Sequence, residues 1–168
     1  SIVIETSKES GVSYTLKHFP GYGNNIDTHS GSSIDTRTKE EIENNDILPF
    51  KSGIKSKAEA ILFSHNIVTS MDKNNPASLS KTLHDYLRND LNFSGVIITD
   101  DLDMGAVKNI ENKNVLSLLA GNDLLISTDY EESIKEIRNA IDNNTLDQET
   151  LDKHVLRVLA WKYYKKLL

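Results

Sequence analysis

The run Gly95-Val96-Ile97-Ile98-Thr99, with the acids that end it, constrains the fold of this chain more than any other stretch. Consecutive apolar and β-branched residues without polar alternation describe a strand buried on both faces, as in a parallel sheet covered by helices. The run stops at Asp100-Asp101-Leu102-Asp103-Met104. In parallel α/β folds the reactive groups sit at the carboxyl ends of the strands. The adjacent carboxylates Asp100 and Asp101 are therefore either a chemical centre or the cap of the next helix, and the local sequence leaves both readings open.

The same order, strand then polar loop then helix, recurs along the chain. Residues 13–16 are a short β-type segment that ends in the loop Lys17-His18-Phe19-Pro20-Gly21. Thr38-Lys39-Glu40-Glu41 has the form of a capping box that starts a helix with Ile42 inward. Ile47-Leu48-Pro49-Phe50 reads as apolar packing on the sheet wall. Residues 58–65 are a second strand, ending in Ser64 and His65 and followed by Asn66. Ser78 or Ser80 caps the helix that follows, and Leu83, Leu87 and Leu91 make its apolar face. After the strand at 95–99, Val115, Leu118 and Leu119 mark a helix that Gly121 ends. Residues 123–128 are a fourth strand, and Ile134, Ile137 and Ile141 lie at helical spacing after it. Thr145-Leu146-Asp147-Gln148 reads as a second capping box, ahead of a last helix with Leu151, Val155, Val158 and Leu159 on one face. His84 and His154 read as exposed helix residues, and residues 108–114 as solvated surface.

Four such units imply a parallel sheet with right-handed crossovers. A length of 168 residues suffices for one core, but an eight-fold barrel takes about 250. The fold is therefore α/β, as a small open sheet or as half of a barrel. A net charge of −6 without a basic stripe argues against nucleic acid as a partner. No apolar run is long enough to span a bilayer, and residues 1–6 lack the pattern of a signal peptide. The chain opens on Ser1 rather than Met, so the loss of a leader or larger upstream segment is expected. Cysteine is absent, which excludes disulfides, thiolate zinc sites and thiol chemistry, and leaves the compartment open.

In a parallel sheet the ionisable groups of three loops share one edge: Lys17, His18, Asp27 and His29, then His65, then Asp100 and Asp101. A carboxylate beside an imidazole, as in Asp27 and His29, can fix the tautomer of a general acid/base. The same two residues also suit an ordinary polar surface loop. A metal set of His18, Asp27 and His29 matches no ligand signature. Lys17 and His18 can hold substrate hydroxyls, or Lys17 can pair with a neighbouring acid and His18 pack under Phe19. Carboxylates facing one cleft are compatible with glycoside chemistry, in which one group attacks the anomeric carbon and another moves the proton.

Lys17-His18-Phe19-Pro20-Gly21-Tyr22-Gly23, Asp27-Thr28-His29, Pro76-Ala77-Ser78-Leu79-Ser80 and residues 95–104 resemble, in order, the family-three glycoside hydrolases, and most closely the bacterial β-N-acetylglucosaminidases (β-hexosaminidases). Ala120-Gly121-Asn122-Asp123-Leu124-Leu125 and Val155-Leu156-Arg157-Val158-Leu159 extend the resemblance over nearly the whole chain. It implies the C-terminal half of a (β/α)₈ TIM barrel, with residues 1–168 as strands five to eight and their helices. It implies retaining cleavage of terminal β-linked N-acetylglucosamine, often in cell-wall fragments, without metal or organic cofactor. By motif, Asp100 matches the nucleophile and Asp27 with His29 the acid/base dyad. Lys17 and His18 match sugar-binding residues, and Asp101 and Met104 support the same loop. Tyr22 stands where the family usually has His, and the loop between Gly23 and Asp27 is one residue shorter than the common form. A half-barrel has open sheet edges, so its expected behaviour alone is inactivity, or pairing with its missing half or a second copy.

Overall fold

The computed structural model describes residues 2–10, 12–23, 28 and 31–168. A helix, α1 (Ile2–Ser10), precedes the first strand, β1 (Thr15–Phe19). Then follow β2 (Ile34–Asp35), α2 (Lys39–Asn44), α3 (Ile47–Lys55), β3 (Ala60–Phe63) and β4 (Ile67–Val68). The chain continues through α4 (Lys81–Asp85) and a wider helical turn at Tyr86–Asp90 into β5 (Val96–Asp101). It closes with α5 (Lys113–Ala120), β6 (Leu124–Ile126), α6 (Tyr130–Asp142) and α7 (Gln148–Tyr164).

The four strands expected from the sequence form one sheet in the order β1-β3-β5-β6, parallel throughout. This α/β unit with sequential parallel neighbours is the arrangement that the repeated strand-loop-helix pattern demands. Between the sheet and the helices lies the main core, with Phe19, Ile61, Phe63 and Ile97 from the strands against Ile42, Ile47, Phe50, Leu83 and Leu87. Burying each such side chain contributes about 1.5–3 kcal/mol. At the amino ends of the strands, Ala60 and Val96 pack with Val158 and Trp161 of α7. Glu59, just before β3, accepts hydrogen bonds from Trp161 Nε1 at 2.7 Å and Ser13 Oγ at 2.5 Å, and pairs with Lys165. The last helix is thereby bound to the end of the sheet opposite the acidic loops.

The capping box at Thr38 forms in full: Thr38 Oγ1 accepts from Glu41 N–H, and the Glu41 carboxylate accepts from Thr38 N–H. Other expectations need correction. Ile47 to Phe50 lie inside α3, with Ile47 and Phe50 buried. The second capping box does not form; Asp147 caps α7 by accepting from Thr150 N–H. On α7, Val155 and Leu159 are exposed while Val158 is buried, because the helix meets the sheet through Val158 and Trp161. Residues 108–114 are not all solvated: Asn114 is buried with its amide on Glu136, and Lys113 pairs with Asp103. The two-residue parallel pair β2–β4 and helix α1 had no signal in the sequence reading.

His84 and His154 are buried rather than exposed. His154 Nδ1 meets the Asp123 carboxylate at 2.9 Å. His84 stacks on Phe63 with ring centroids 4.1 Å apart, and its Nδ1–H donates to the Ser80 carbonyl. Burial pushes the His84 imidazole down to about 4, whereas an unfolded histidine takes its proton near 6.5. Between these values unfolding takes up a proton, so stability falls as pH drops from about 6.5 to about 4, by up to ~3 kcal/mol. Urea midpoints at pH 7.0 and 4.5 measure the effect. His84→Gln is expected to lose less stability over that interval than the parent protein.

Candidate active site

Because all four strands of the main sheet run in the same direction, their carboxyl ends meet at one edge. This edge gathers His18 from β1, His65 after β3, and Asp100 with Asp101 from β5. His18 Nε2 stands 3.6 Å from Asp100 Oδ2. That is within ion-pair reach and too long for a hydrogen bond. Both side chains keep partial solvent access, 31% for His18 and 20% for Asp100, so a ligand can reach the carboxylate. Asp100 Oδ1 accepts the Asp101 N–H at 2.9 Å, which turns Oδ2 toward His18. Lys17 is exposed on the same strand.

The segment after Asp100 is tightly bonded. The Asp101 carbonyl accepts from His65 Nε2 at 2.9 Å and from Met104 N–H at 3.0 Å. Asp101 Oδ1 accepts the Asp103 N–H. Met104 is buried, and its carbonyl accepts from Val107 and Lys108. Asp103 reaches across to the next strand end: its carboxylate accepts from Thr128 N–H at 2.7 Å and Thr128 Oγ1 at 2.6 Å. Lys113 Nζ lies 2.8 Å from Asp103 and also donates to the Leu102 carbonyl. The hydrogen bonds from Lys113 and Thr128 hold the Asp103 carboxyl well below the usual carboxylate range. Asp103 is thus committed to joining the loops after β5 and β6.

The loop after β1 is anchored from two sides. The Asp46 carboxylate packs against Gly21 so closely that a Cβ there would lie 2.3 Å from Asp46 Cβ. Gly21 also has φ of +135°, so a larger residue is excluded on both counts. Arg37 bonds Asp46 and Asp35 together. Farther along, Tyr22 presents its ring to His18 edge-on at 5.5 Å, and its hydroxyl shares a hydrogen bond with Thr28 Oγ1. Thr28 is fully buried, and its carbonyl accepts the Ala106 N–H at 3.2 Å. The loop after β1 is therefore joined directly to the loop that follows Asp100.

Of the residues expected at the site, His18, Asp100 and Asp101 come together, and Met104 is buried in the turn that follows them, with its N–H on the Asp101 carbonyl. Asp27 and His29 lie outside the described residues, so the metal set that needed both has no geometry to report. Among the described residues, no group of three or more His, Asp, Glu or Cys side chains could hold a metal ion, and no helix is long and apolar enough to cross a membrane. Sequence reasoning gave no role to Tyr22, Thr28, Asp103 or Lys113, and placed His65 among the ionisable groups of the shared edge without giving it a function. For Asp103 the available signal was a third acid within four positions of Asp100.

A family model described as "Glycosyl hydrolase family 3 N terminal domain" matches residues 1–161. The chain is 36% identical over 157 residues to a beta-hexosaminidase of Actinobacillus pleuropneumoniae serotype 5b (strain L20), covering 90% of this chain and 45% of that protein. It spans about half the length of the curated relatives it matches. It superposes on a glycoside hydrolase family 3 beta-N-acetylglucosaminidase from Paenibacillus sp. str. FPU-7 with a TM-score of 0.90 and 28% identity, over 97% of this chain and 33% of that one. It also superposes on the beta-glucoside phosphorylase BglX with a TM-score of 0.89 and 27% identity, over 95% of this chain and 32% of that one.

Proposed function

Since the chain belongs to glycosyl hydrolase family 3, with curated relatives named beta-hexosaminidase, we propose that it is the catalytic segment of a retaining β-N-acetylglucosaminidase. The observation that carries this reading is the accessible Asp100 carboxylate at the carboxyl edge of a parallel sheet, with His18 at 3.6 Å. Asp100 attacks the anomeric carbon and forms a glycosyl ester as the bond to the leaving oxygen breaks. His29, oriented by Asp27, gives that oxygen its proton and then takes one from the water that cleaves the ester. The bond from Ala106 N–H to the carbonyl of Thr28, the residue between Asp27 and His29, supports this pairing of loops. Lys17 and His18 bind the sugar, and Asp101 and Met104 hold the turn below Asp100.

Residues 1–168 supply strands five to eight of the catalytic barrel. The sheet has β1 and β6 as its edges, so enclosing a sugar takes further strands, either from an N-terminal half or from a second copy of the chain. The isolated 168-residue chain is accordingly expected to turn over poorly. The test is hydrolysis of p-nitrophenyl N-acetyl-β-glucosaminide by the protein expressed from its complete coding sequence, with the first-formed sugar followed by NMR. The β-anomer appearing first is the expected result; no turnover, or the α-anomer first, sinks the proposal. Mass in solution decides how the barrel is completed, since a dimer that dissociates on dilution with loss of activity requires the second copy.

The resemblance to a phosphorylase carries one finer question, whether water or phosphate takes the sugar from Asp100. A neutral imidazole base does not repel an incoming anion as a carboxylate would. Adding phosphate to the same assay and looking for the glycosyl phosphate separates the two reactions.

A further inference from the structure

His65 carries no role in the chemistry described so far, yet it is fully buried at the carboxyl end of the strand between β1 and β5. Its neighbours tie down the loop after β1: Ser64 Oγ donates to the Phe19 carbonyl at 3.1 Å, and Asn66 Nδ2 to the Gly21 carbonyl at 3.3 Å. His65 reaches the other way, to the loop after β5. Its Nε2 lies 2.9 Å from the Asp101 carbonyl oxygen, and its Nδ1 lies 2.7 Å from Ser78 Oγ. A carbonyl only accepts, so Nε2 carries the proton, and Nδ1 accepts from the Ser78 hydroxyl. Both ring nitrogens are used, and one neutral tautomer satisfies both.

We propose that His65 is a positioning residue for the Asp100 nucleophile, acting through the peptide carbonyl of Asp101. The proposal rests on the glycosidase reading for its kinetic consequence but not for its geometry. With Nε2–H and Met104 N–H both on the Asp101 carbonyl, the peptide unit between Asp101 and Leu102 has a fixed orientation, and with it the backbone of Asp101. The Asp101 N–H is thereby kept on Asp100 Oδ1, and Oδ2 stays aimed at the side occupied by His18. Ser64, His65 and Asn66 together set the distance between the sugar-holding loop and the nucleophile. Misplacing a reacting carboxylate by an ångström costs on the order of 10²-fold in rate.

The buried neutral state is consistent with this placement. Burial pushes the His65 imidazole below its ordinary value, although the Asp101 carbonyl and the nearby Asp100 and Asp101 charges pull it up. The charges that face it are Asp100, Asp101 and Lys113.

The test compares His65→Leu, which has no donor, with His65→Gln, whose amide can place a donor near the Nε2 position. In the protein expressed from its complete coding sequence, kcat for p-nitrophenyl N-acetyl-β-glucosaminide is expected to fall about 10²-fold in His65→Leu, with KM within about threefold. His65→Gln is expected to recover to within about tenfold of the parent. Equal losses in the two variants, or a His65→Leu kcat within threefold of the parent, overturn the proposal. If His65→Leu does not fold, Ser78→Ala takes its place: it releases the tautomer and should lower kcat several-fold at unchanged KM, and an unaltered kcat refutes the proposal. An activity-independent readout is the amide NMR shifts of Asp101 and Leu102, expected to move in His65→Leu and return toward the parent in His65→Gln. If the parent shows no turnover, the glycosidase reading fails, and these shifts alone decide the positioning claim, unmoved shifts in His65→Leu refuting it.

Discussion

Asp100→Asn is expected to lower kcat for a β-N-acetylglucosaminide by about 10³-fold or more, equivalent to ~4 kcal/mol of transition-state stabilisation. An amide is too poor a nucleophile to form the glycosyl ester, so the loss falls on the covalent step while sugar binding is largely retained. The substitution keeps the Oδ1 acceptor for the Asp101 N–H, so the loop geometry survives and thermal stability stays close to the parent's. Asp101→Asn is the matched control. Asp101 acts here through its carbonyl and through Oδ1, which accepts the Asp103 N–H, and an asparagine preserves both. Its kcat is expected within about tenfold of the parent. Two adjacent acids with effects that differ by two orders of magnitude would single out the nucleophile. If Asp100→Asn keeps full activity, the assignment is wrong.

The contrast between these two acids also marks what a sequence can and cannot carry. The β5 strand was legible because an unbroken apolar, β-branched run has few folded uses other than a strand covered on both sides. The capping box at Thr38 was legible because all of its atoms lie within four residues. The meeting of His18 with Asp100 followed from topology alone: a parallel sheet puts every strand's end at one edge, whatever the loops do between. The division of labour between Asp100 and Asp101 came from the family resemblance, and one of the hydrogen bonds that give Asp101 its supporting geometry comes from His65, thirty-six residues away.

Errors of the sequence reading share one cause. A polar residue on a helix was read as exposed unless a partner stood nearby in the chain, but buried polar groups find partners at any separation. His154 is buried because Asp123 awaits it thirty-one residues earlier, and His84 because Phe63 offers a ring face. Helical spacing likewise identified α7 but misjudged its inward face. A helix laid against the end of a sheet touches it at a few positions, here Val158 and Trp161, and the remaining apolar stripe is not buried by that contact. The tie between Thr28 and Ala106 joins main-chain atoms, so no side-chain pattern could announce it.

Asp123→Ala is expected to destabilise the protein by about 3–5 kcal/mol, the range for removing one partner of a buried charge cluster. The Asp123 side chain has no solvent exposure. It pairs with Arg88 at 2.8 Å, with His154 at 2.9 Å and with Arg157, and it also accepts the Ile97 N–H at 2.8 Å. Burial alone would raise its pKa, yet hydrogen bonds from His154 and Ile97 and the two arginines hold it below the ordinary carboxylate value. Removing the carboxylate leaves the buried Ile97 N–H without its partner. It also leaves Arg88, already pushed down to about 10 by burial, close to Arg157 without a counter-charge. The four elements that Asp123 joins are the turn after α4, strands β5 and β6, and α7, so the loss is global rather than local. For a domain of this size it corresponds to roughly 6–20 °C in Tm. Asp85→Ala, which removes the exposed pair with Lys81 at 2.5 Å, should change stability by less than about 1 kcal/mol. The sign with pH follows from the lowered pKa. The Asp123 contribution is complete above the unfolded carboxylate value near 4 and is lost as pH falls through the lower folded value. Urea denaturation of parent and Asp123→Ala should therefore differ most at neutral pH and converge below pH 4; a constant difference across that range would mean that the carboxylate charge is not what holds these elements together.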